Sequence, residues 1–430
     1  MPLFDITPIQ YNSKCITFAE WISLFTLCLA PLLIHIIAGA PPISNISSTR
    51  PRWYERLCHY NPTSILWRYA AITDRRIRAL HWDKNDIAAS NAIFWTADGW
   101  NGREELVIAA TPYCLRYPDH NIVPLFSSTT VKTIFTTLQG ASAVYALVAL
   151  QFGAKDLSFS VFMAVDMIFF PLAVLGLLRL CAALWLVDDF EYAWRDGIDT
   201  TRRSLPLQRL QRKINDSQSL DSPIDLDTLL PTSSASHLRF QAPNTCWGSY
   251  AFRIFYFLAV AGVWAISIAY MIPPFDTNTT SFFTGLFYVV FTSTSLVLYA
   301  FYFVKGSTTS TILPCVSKLW YNIYTFCIFT FMLALIIIAA IETDRAPNGV
   351  YMSTRQEVNL NCGARGNWWT VKPGKGFSGL ASVGNASLAE SRHLNATAVV
   401  TEIEKLGPLE GEYWFYNFTG FCVGKFEETT

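Results

Sequence analysis

The chain has 430 residues, of which 52% are hydrophobic and 15% aromatic, while 32 basic residues balance 32 acidic ones. This composition excludes a water-soluble globular domain of that length, and a net charge of zero excludes the global basic field of a nucleic-acid binder. An integral membrane protein follows, with the lipid bilayer as its first partner, no nucleic acid among its partners and protein partners undetermined.

Six apolar runs are long enough to cross a bilayer: 17–38, 131–152, 157–187, 250–272, 282–304 and 319–341. The expected fold is an all-α integral membrane protein. It has a six-helix transmembrane bundle, a cytoplasmic helical domain at 39–130, a partly disordered cytoplasmic loop at 188–249 and a small mixed extracellular C-terminal domain at 342–430. Orientation rests on two independent features. Arg50, Arg52 and Arg56, and then Arg195, Arg202, Arg203 and Arg239, crowd two long connections that should be cytoplasmic. The Asn-x-Ser/Thr acceptors Asn278, Asn385, Asn395 and Asn417 all fall on the opposite side, where sugars are added, whereas Asn45 and Asn215 fall in the cytosol and stay bare. Both termini are therefore expected outside, in the plasma membrane or another secretory-pathway membrane.

After an outer tail at 1–16, the first span carries Glu20 at its outer mouth with Trp21 as an interfacial anchor, and His35 near its inner end is read as a bonded packing residue. In the domain that follows, Asn61-Pro62-Thr63-Ser64 starts a helix on which Ile65, Tyr69, Ile72, Arg76 or Ile77, and Leu80 recur at helical spacing. Arg68, Arg75, Arg76 and Arg78 load its polar positions. Two readings stand side by side: the arginines meet anionic inner-leaflet lipids, or the helix lies on the bundle with a solvated charged face. A second helix is predicted over 87–95, a turn over 98–102 and a third helix over 103–113.

The stretch at 61–95, NPTSILWRYAAITDRRIRALHWDKNDIAASNAIFW, with the turn TADGWNG at 96–102, resembles a group of uncharacterised multi-pass membrane proteins of filamentous fungi. Some of these are encoded within secondary-metabolite gene clusters. The resemblance implies a membrane location and an association with metabolite biosynthesis, and carries no catalytic residue.

Small residues in the second span (Gly140, Ala141, Ala143, Ala146) and in the fourth (Ala261, Ala265, Ala269) predict helix-packing faces. The third run is the most unusual, because Asp166, Pro171 and Arg179 interrupt hydrocarbon-length sequence. As one helix it would be about 45 Å long against a hydrocarbon core of about 30 Å, so it should tilt, kink at Pro171 or protrude. Asp166 is the candidate intramembrane functional residue, either on a proton or ligand path or as a shallow carboxyl bonded to a hydroxyl, and Arg179 is expected to snorkel to one face. In the fifth span, Thr292, Ser293, Thr294 and Ser295 form a hydroxyl belt that either lines a path or bonds across helices.

The C-terminal tail has β-favouring patches at 368–371 and 413–418 and two cysteines, Cys362 and Cys422. In an oxidising compartment these pair, closing a loop of about sixty residues for up to about 4 kcal/mol in a chain-entropy account. Residues 374–379, GKGFSG, spell a dinucleotide pattern without the strand-to-helix unit it requires and are read as a loop. No P-loop, nucleophile elbow or paired-histidine centre is present, so no catalytic residue, metal site or cofactor is expected. The sequence therefore points first to a non-catalytic membrane component, a sensor, scaffold or accessory protein associated with fungal secondary metabolism. The alternative is a transporter or channel for a small molecule or proton-coupled solute using Asp166. A membrane-bound enzyme comes third.

Overall fold

The first span begins as its sequence dictates: Thr17 and Glu20 form a capping box, the Thr17 backbone N–H donating to the Glu20 carboxylate at 2.8 Å. The computed structural model describes residues 6–7, 9, 13, 16–40, 42–45, 50–96, 99–153, 163–192, 239–269, 271, 277–345, 351–353, 368–371, 382–385 and 414–417. In chain order the helices are α1 (Phe18–Gly39), α2 (Trp53–Leu57), α3 (Pro62–Arg78), α4 (Lys84–Asn91), α5 (Glu105–Ala109) and α6 (Ser128–Gly153). They continue with α7 (Phe170–Gly176), α8 (Arg179–Ala182), α9 (Trp247–Ala269), α10 (Thr279–Val304) and α11 (Leu319–Glu342).

Four of these, α1, α9, α10 and α11, are long and apolar enough to cross a membrane. Each keeps a row of large apolar side chains exposed, such as Ile22 and Leu33 on α1, Phe255 and Leu258 on α9, Val297 and Phe301 on α10, and Ile323 and Phe326 on α11. Faces of that kind call for lipid rather than water. Helix α6 covers the second predicted run, and its 26 residues would extend about 39 Å. Its threonines and glutamines make it less apolar than the other four. Of the packing face predicted there, Gly140 packs closely, since a Cβ on it would lie 2.5 Å from Leu177 Cγ and 2.8 Å from the Ala173 carbonyl, and Ala143 is buried, whereas Ala141 is exposed. The alanine stripe of α9 does not pack: Ala265 and Ala269 are exposed and Gly262 has no neighbour within 4 Å.

The third run is not one long helix over its described part. Pro171 does not kink a helix but stands in the first turn of α7, where its missing N–H costs nothing. Around it the backbone winds in tight i→i−3 turns, among them Phe170 to Met167 and Leu178 to Leu175. Val165, Ile168, Phe169, Leu172 and Leu175 are each at most 1% exposed. The described part of the run therefore keeps a buried face over 163–175, while Leu180 and Leu184 further along stay exposed.

The predicted 61–80 helix is present as α3, capped by the Asn61 side chain on the Thr63 amide with Pro62 in the first turn. The predicted 87–95 helix is shorter: α4 ends at Asn91 and the chain turns into a strand, Ile93–Thr96. That strand pairs in parallel with Ile43–Asn45 and antiparallel with Gly99–Asn101, so most of the turn predicted over 98–102 is strand instead. Gly99 holds a φ of +104° there, a conformation glycine adopts without strain. A second apolar cluster beneath α4 and α5 joins Ile87, Phe94, Leu106, Val187 and Phe240. In the C-terminal region, Trp368–Val371 and Ser382–Asn385 flank Trp414–Asn417 in an antiparallel sheet, so both predicted β patches are strands.

Contacts sort the helix ends into two groups. At one end Ile6–Thr7 pairs with Thr277–Asn278, Thr280 bonds Glu342, and the Val165 amide donates to Thr343 Oγ1 at 3.1 Å. At the other end α3 meets the C-terminus of α1, the N-termini of α6 and α9 and the C-terminus of α10 through the contacts described next.

Candidate functional site

Fifteen of the 17 residues of α3 are buried, including Arg68, Arg75 and Arg78. This corrects the expectation of a basic helix whose arginines reach anionic lipids or water: of Arg68, Arg75, Arg76 and Arg78, only Arg76 retains partial exposure, and Ile77 and Leu80 point outward instead. The physical reason is that the charges find partners brought from distant segments. A buried guanidinium is tolerable only when its donors are filled.

Asp74 is fully buried and lies one turn before Arg78, whose Nε donates to it at 2.8 Å. Ser249 also donates to Asp74, and Arg253 Nε approaches it at 3.9 Å, which ties the start of α9 to α3. Arg78 reaches the Glu104 carboxylate as well and the Gln241 carbonyl at 2.9 Å. Arg75 donates to the Gly102 carbonyl at 2.6 Å, the Thr309 carbonyl at 2.7 Å and Ser90 at 3.2 Å, with Glu104 3.8 Å from its Nε. Three guanidinium groups thus share two carboxylates, and the surplus positive charge is spread over carbonyl oxygens. Burial pulls the Arg75 guanidinium down to about 10, and it remains charged at neutral pH.

The same logic governs the helix termini. The last carbonyls of a helix lack intrahelical donors and sit at the negative end of its macrodipole. Helix α1 has no basic residue in its last turn, yet Arg179 donates to its Ala38 carbonyl and Arg68 to its Gly39 carbonyl at 3.0 Å. Arg68 also donates to the Asn91 carbonyl at 2.9 Å, and burial lowers it to about 9. Arg179 is 1% exposed and holds Thr133 at 2.9 Å, so it does not snorkel; it binds α1, α3 and α6 together. Arg253 performs the same office for α10, donating to the Phe303 carbonyl at 2.7 Å. Carboxylates occupy the positive ends: Asp188 accepts from Ser128 at 3.0 Å at the start of α6, and Glu342 accepts from the Thr280 amide at 2.7 Å at the start of α10.

The hydroxyl belt of α10 is bonded, not open. Thr292, Thr294 and Ser295 donate to carbonyls one turn back, Ser293 accepts the Trp264 indole N–H at 2.8 Å, and Thr63 of α3 lies 3.0 Å from Ser295. Asn61 donates to Thr325 of α11 at 2.9 Å, and Tyr299 donates to the Thr63 carbonyl at 2.7 Å. The start of α3 is thereby fastened to α10 and α11.

Asp166 lies half-buried in the turn before α7, with one carboxylate oxygen buried and without a hydrogen-bond partner among the described residues. It is not joined to the hydroxyl belt. His35 is buried, and neither ring nitrogen has a hydrogen-bond partner among the described residues, so it packs without the predicted bond. Asn278, predicted to carry a sugar, is 6% exposed and its amide donates to Ser353 at 2.8 Å, so its side chain has no room for a glycan in this fold. Asn385 and Asn417 end two strands of the C-terminal sheet, while Asn395, Cys362, Cys422 and residues 374–379 lie outside the described residues. Among the described residues, no group of three or more His, Cys, Asp or Glu side chains is placed to hold a metal ion.

Asp74, Glu104, Arg253 and Glu342 have structural roles that the sequence reading did not assign. The one available signal was the i,i+4 spacing of Asp74 and Arg78. Both carboxylates of the junction are taken up by guanidinium and hydroxyl donors, an arrangement suited to holding segments in fixed register. No family model, curated protein or solved structure matches this chain.

Proposed function

We propose that this chain is a non-catalytic membrane component, a scaffold or accessory protein whose soluble and membrane parts act as one body. The observation that carries the reading is the burial of α3, with its charges bonded to α1, to α9 and to the segments at 90–91, 102–104 and 308–309. A polar helix locked into a bundle in this way suits a protein that presents fixed surfaces on a membrane. The bonded hydroxyl belt supports the same reading, since Ser293 and Ser295 fasten α10 to α9 and α3 while Thr292 and Thr294 are satisfied within the helix.

On this reading the chain crosses the membrane six times, through α1, α6, the segment at 157–187, α9, α10 and α11. Its termini face outward from the plasma membrane or another secretory-pathway membrane. The division of helix ends into two groups supports that alternation. The outer C-terminal region carries sugars at Asn385, Asn395 and Asn417 and a Cys362–Cys422 disulfide. The resemblance to fungal membrane proteins supports an accessory role beside metabolite biosynthesis.

A second reading, transport of a proton or small solute, is favoured by one observation: the buried, unpartnered carboxylate oxygen of Asp166. Replacement of the chromosomal gene by an Asp166→Asn version separates the two. The scaffold reading predicts that the variant, at equal abundance, restores whatever trait deletion removes. Loss of that trait with the protein present at normal level would overturn it in favour of transport.

A further inference from the structure

A polar cavity of about 560 Å³ opens where the end of α10 meets residues 96 and 100–105 and the connection at 305–314. That volume falls within the range of small-molecule sites, roughly 300 to 1,000 Å³. Two segments that contribute to it are paired: Arg103 and Ser310 form an antiparallel bridge, and the Thr311 amide donates to the Gly102 carbonyl at 3.1 Å. Arg103 and Lys305 both line it. Unlike Arg68, Arg75 and Arg78, they are exposed, and neither lies within salt-bridge distance of a carboxylate among the described residues.

The other lining groups fit an oxyanion with an organic substituent. Trp100 contributes an aromatic wall and a buried indole N–H that has no partner among the described residues. Tyr302 supplies a second ring and Asn101 an amide, whereas Glu105 is the one carboxylate, leaving the set at one net positive charge. The position matters as much as the chemistry. Lys305 follows the last residue of α10 and its Nζ stands 5.9 Å from the centroid of the Phe301 ring, whose face is exposed along with that of Val304. The cavity therefore sits at the rim of an apolar, lipid-demanding face, where aromatic and basic residues meet headgroups.

We infer that this cavity binds a phosphate-bearing ligand, its phosphate held between Arg103 and Lys305 and its substituent against Trp100 and Tyr302. The phosphate comes either from a lipid headgroup or from a soluble phosphate ester. Charge-assisted bonds from an arginine and a lysine to one phosphate are strong enough to make the site saturable. This site is independent of the scaffold reading.

The test is calorimetric titration of the purified full-length protein in an uncharged detergent, with dioctanoyl phosphatidic acid, inorganic phosphate and uncharged dioctanoylglycerol as probes. Saturable binding of phosphatidic acid alone identifies a lipid headgroup, and saturable binding of phosphate as well identifies a soluble ester; both uphold the site. Arg103→Gln and Lys305→Gln should each weaken binding by about tenfold, the size expected for losing one charge-assisted contact. Glu105→Gln should tighten it, and Arg116→Gln, at the exposed Arg116–Asp189 pair, should leave it unchanged. Melting temperatures measured without probe check that each variant is folded. No saturable binding of either phosphate-bearing probe to the unaltered protein, or unweakened binding by the Arg103→Gln and Lys305→Gln variants, overturns the inference.

Discussion

Replacing Asp74 by alanine should be among the most damaging single changes in the protein. Its carboxylate is fully buried and receives Arg78 at 2.8 Å, Ser249, and Arg253 at 3.9 Å. Without it, three buried guanidinium groups would share the single carboxylate of Glu104, and the Ser249 hydroxyl would lose its acceptor. Removing one member of a buried ionic network costs about 3–5 kcal/mol, because the remaining charge stays desolvated without compensation. At roughly 2 °C per kcal/mol, the lower end for large chains, the melting temperature should fall by about 6–10 °C. Asp74→Asn keeps an acceptor oxygen and should lose about 1–3 kcal/mol. Thermal unfolding followed by the loss of the monodisperse chromatographic peak in detergent reads both. The comparison variant is Asp189→Asn, at the Arg116–Asp189 pair whose side chains are 63% and 47% exposed, where the effect should stay below about 1 kcal/mol. An Asp74→Ala protein that melts within a degree of the unaltered one would refute the idea that the junction depends on this charge.

Three further outcomes follow from the geometry. Burial, with the Arg68 charge adding to it, lowers His59 from 6.5 to about 3, so the unfolded chain binds the extra proton between those values. Stability is fully present above pH 6.5 and declines as pH falls below it, by at most about 2 kcal/mol at pH 5. A His59→Phe variant should show a shallower loss in melting temperature over that interval; an unchanged slope would contradict the assignment. Gly140→Ala would drive a Cβ into Leu177 and the Ala173 carbonyl, and should cost about 1–3 kcal/mol through overpacking, read by the same unfolding assay. Glu342→Gln weakens the cap that accepts from Thr280 at the start of α10 and should cost about 1 kcal/mol, with faster amide exchange confined to the first turn of that helix. Unchanged exchange there would show that the carboxylate is not the cap.

What the sequence disclosed and what it concealed follow from the range of the interactions. Apolar length is a local property, and the run predicted at 17–38 is α1 at Phe18–Gly39. Capping is local too, so Asn61 could be read as a helix start. Periodicity, however, reports only that one face of α3 differs from the other; it does not say whether the polar face meets water, lipid or protein. The partners that decide this stand far away in sequence: Ser249 lies 175 residues from Asp74 and Thr309 lies 234 from Arg75. Arg179 was misread for the same reason, since its acceptor, the Ala38 carbonyl, is 141 residues distant. In the third run the expected kink at Pro171 is replaced by a helix start, because apolar composition does not fix where a helix begins. The i→i−3 turns around Pro171 show that its described part is not one regular α-helix.

The central claim, that α3 belongs to the core of the molecule and is not a helix laid on a charged lipid surface, is tested most directly by hydrogen exchange. The full chain in lipid nanodiscs would be followed for peptides covering residues 62–78, at low salt and again at about 1 M, where electrostatic attachment is screened within about 3 Å. The account predicts that these amides stay as protected as those of α10 and α11 at both salt concentrations. Exchange that is slow at low salt and rapid at high salt would contradict it, because a helix held by anionic lipids would be released as its arginines are screened.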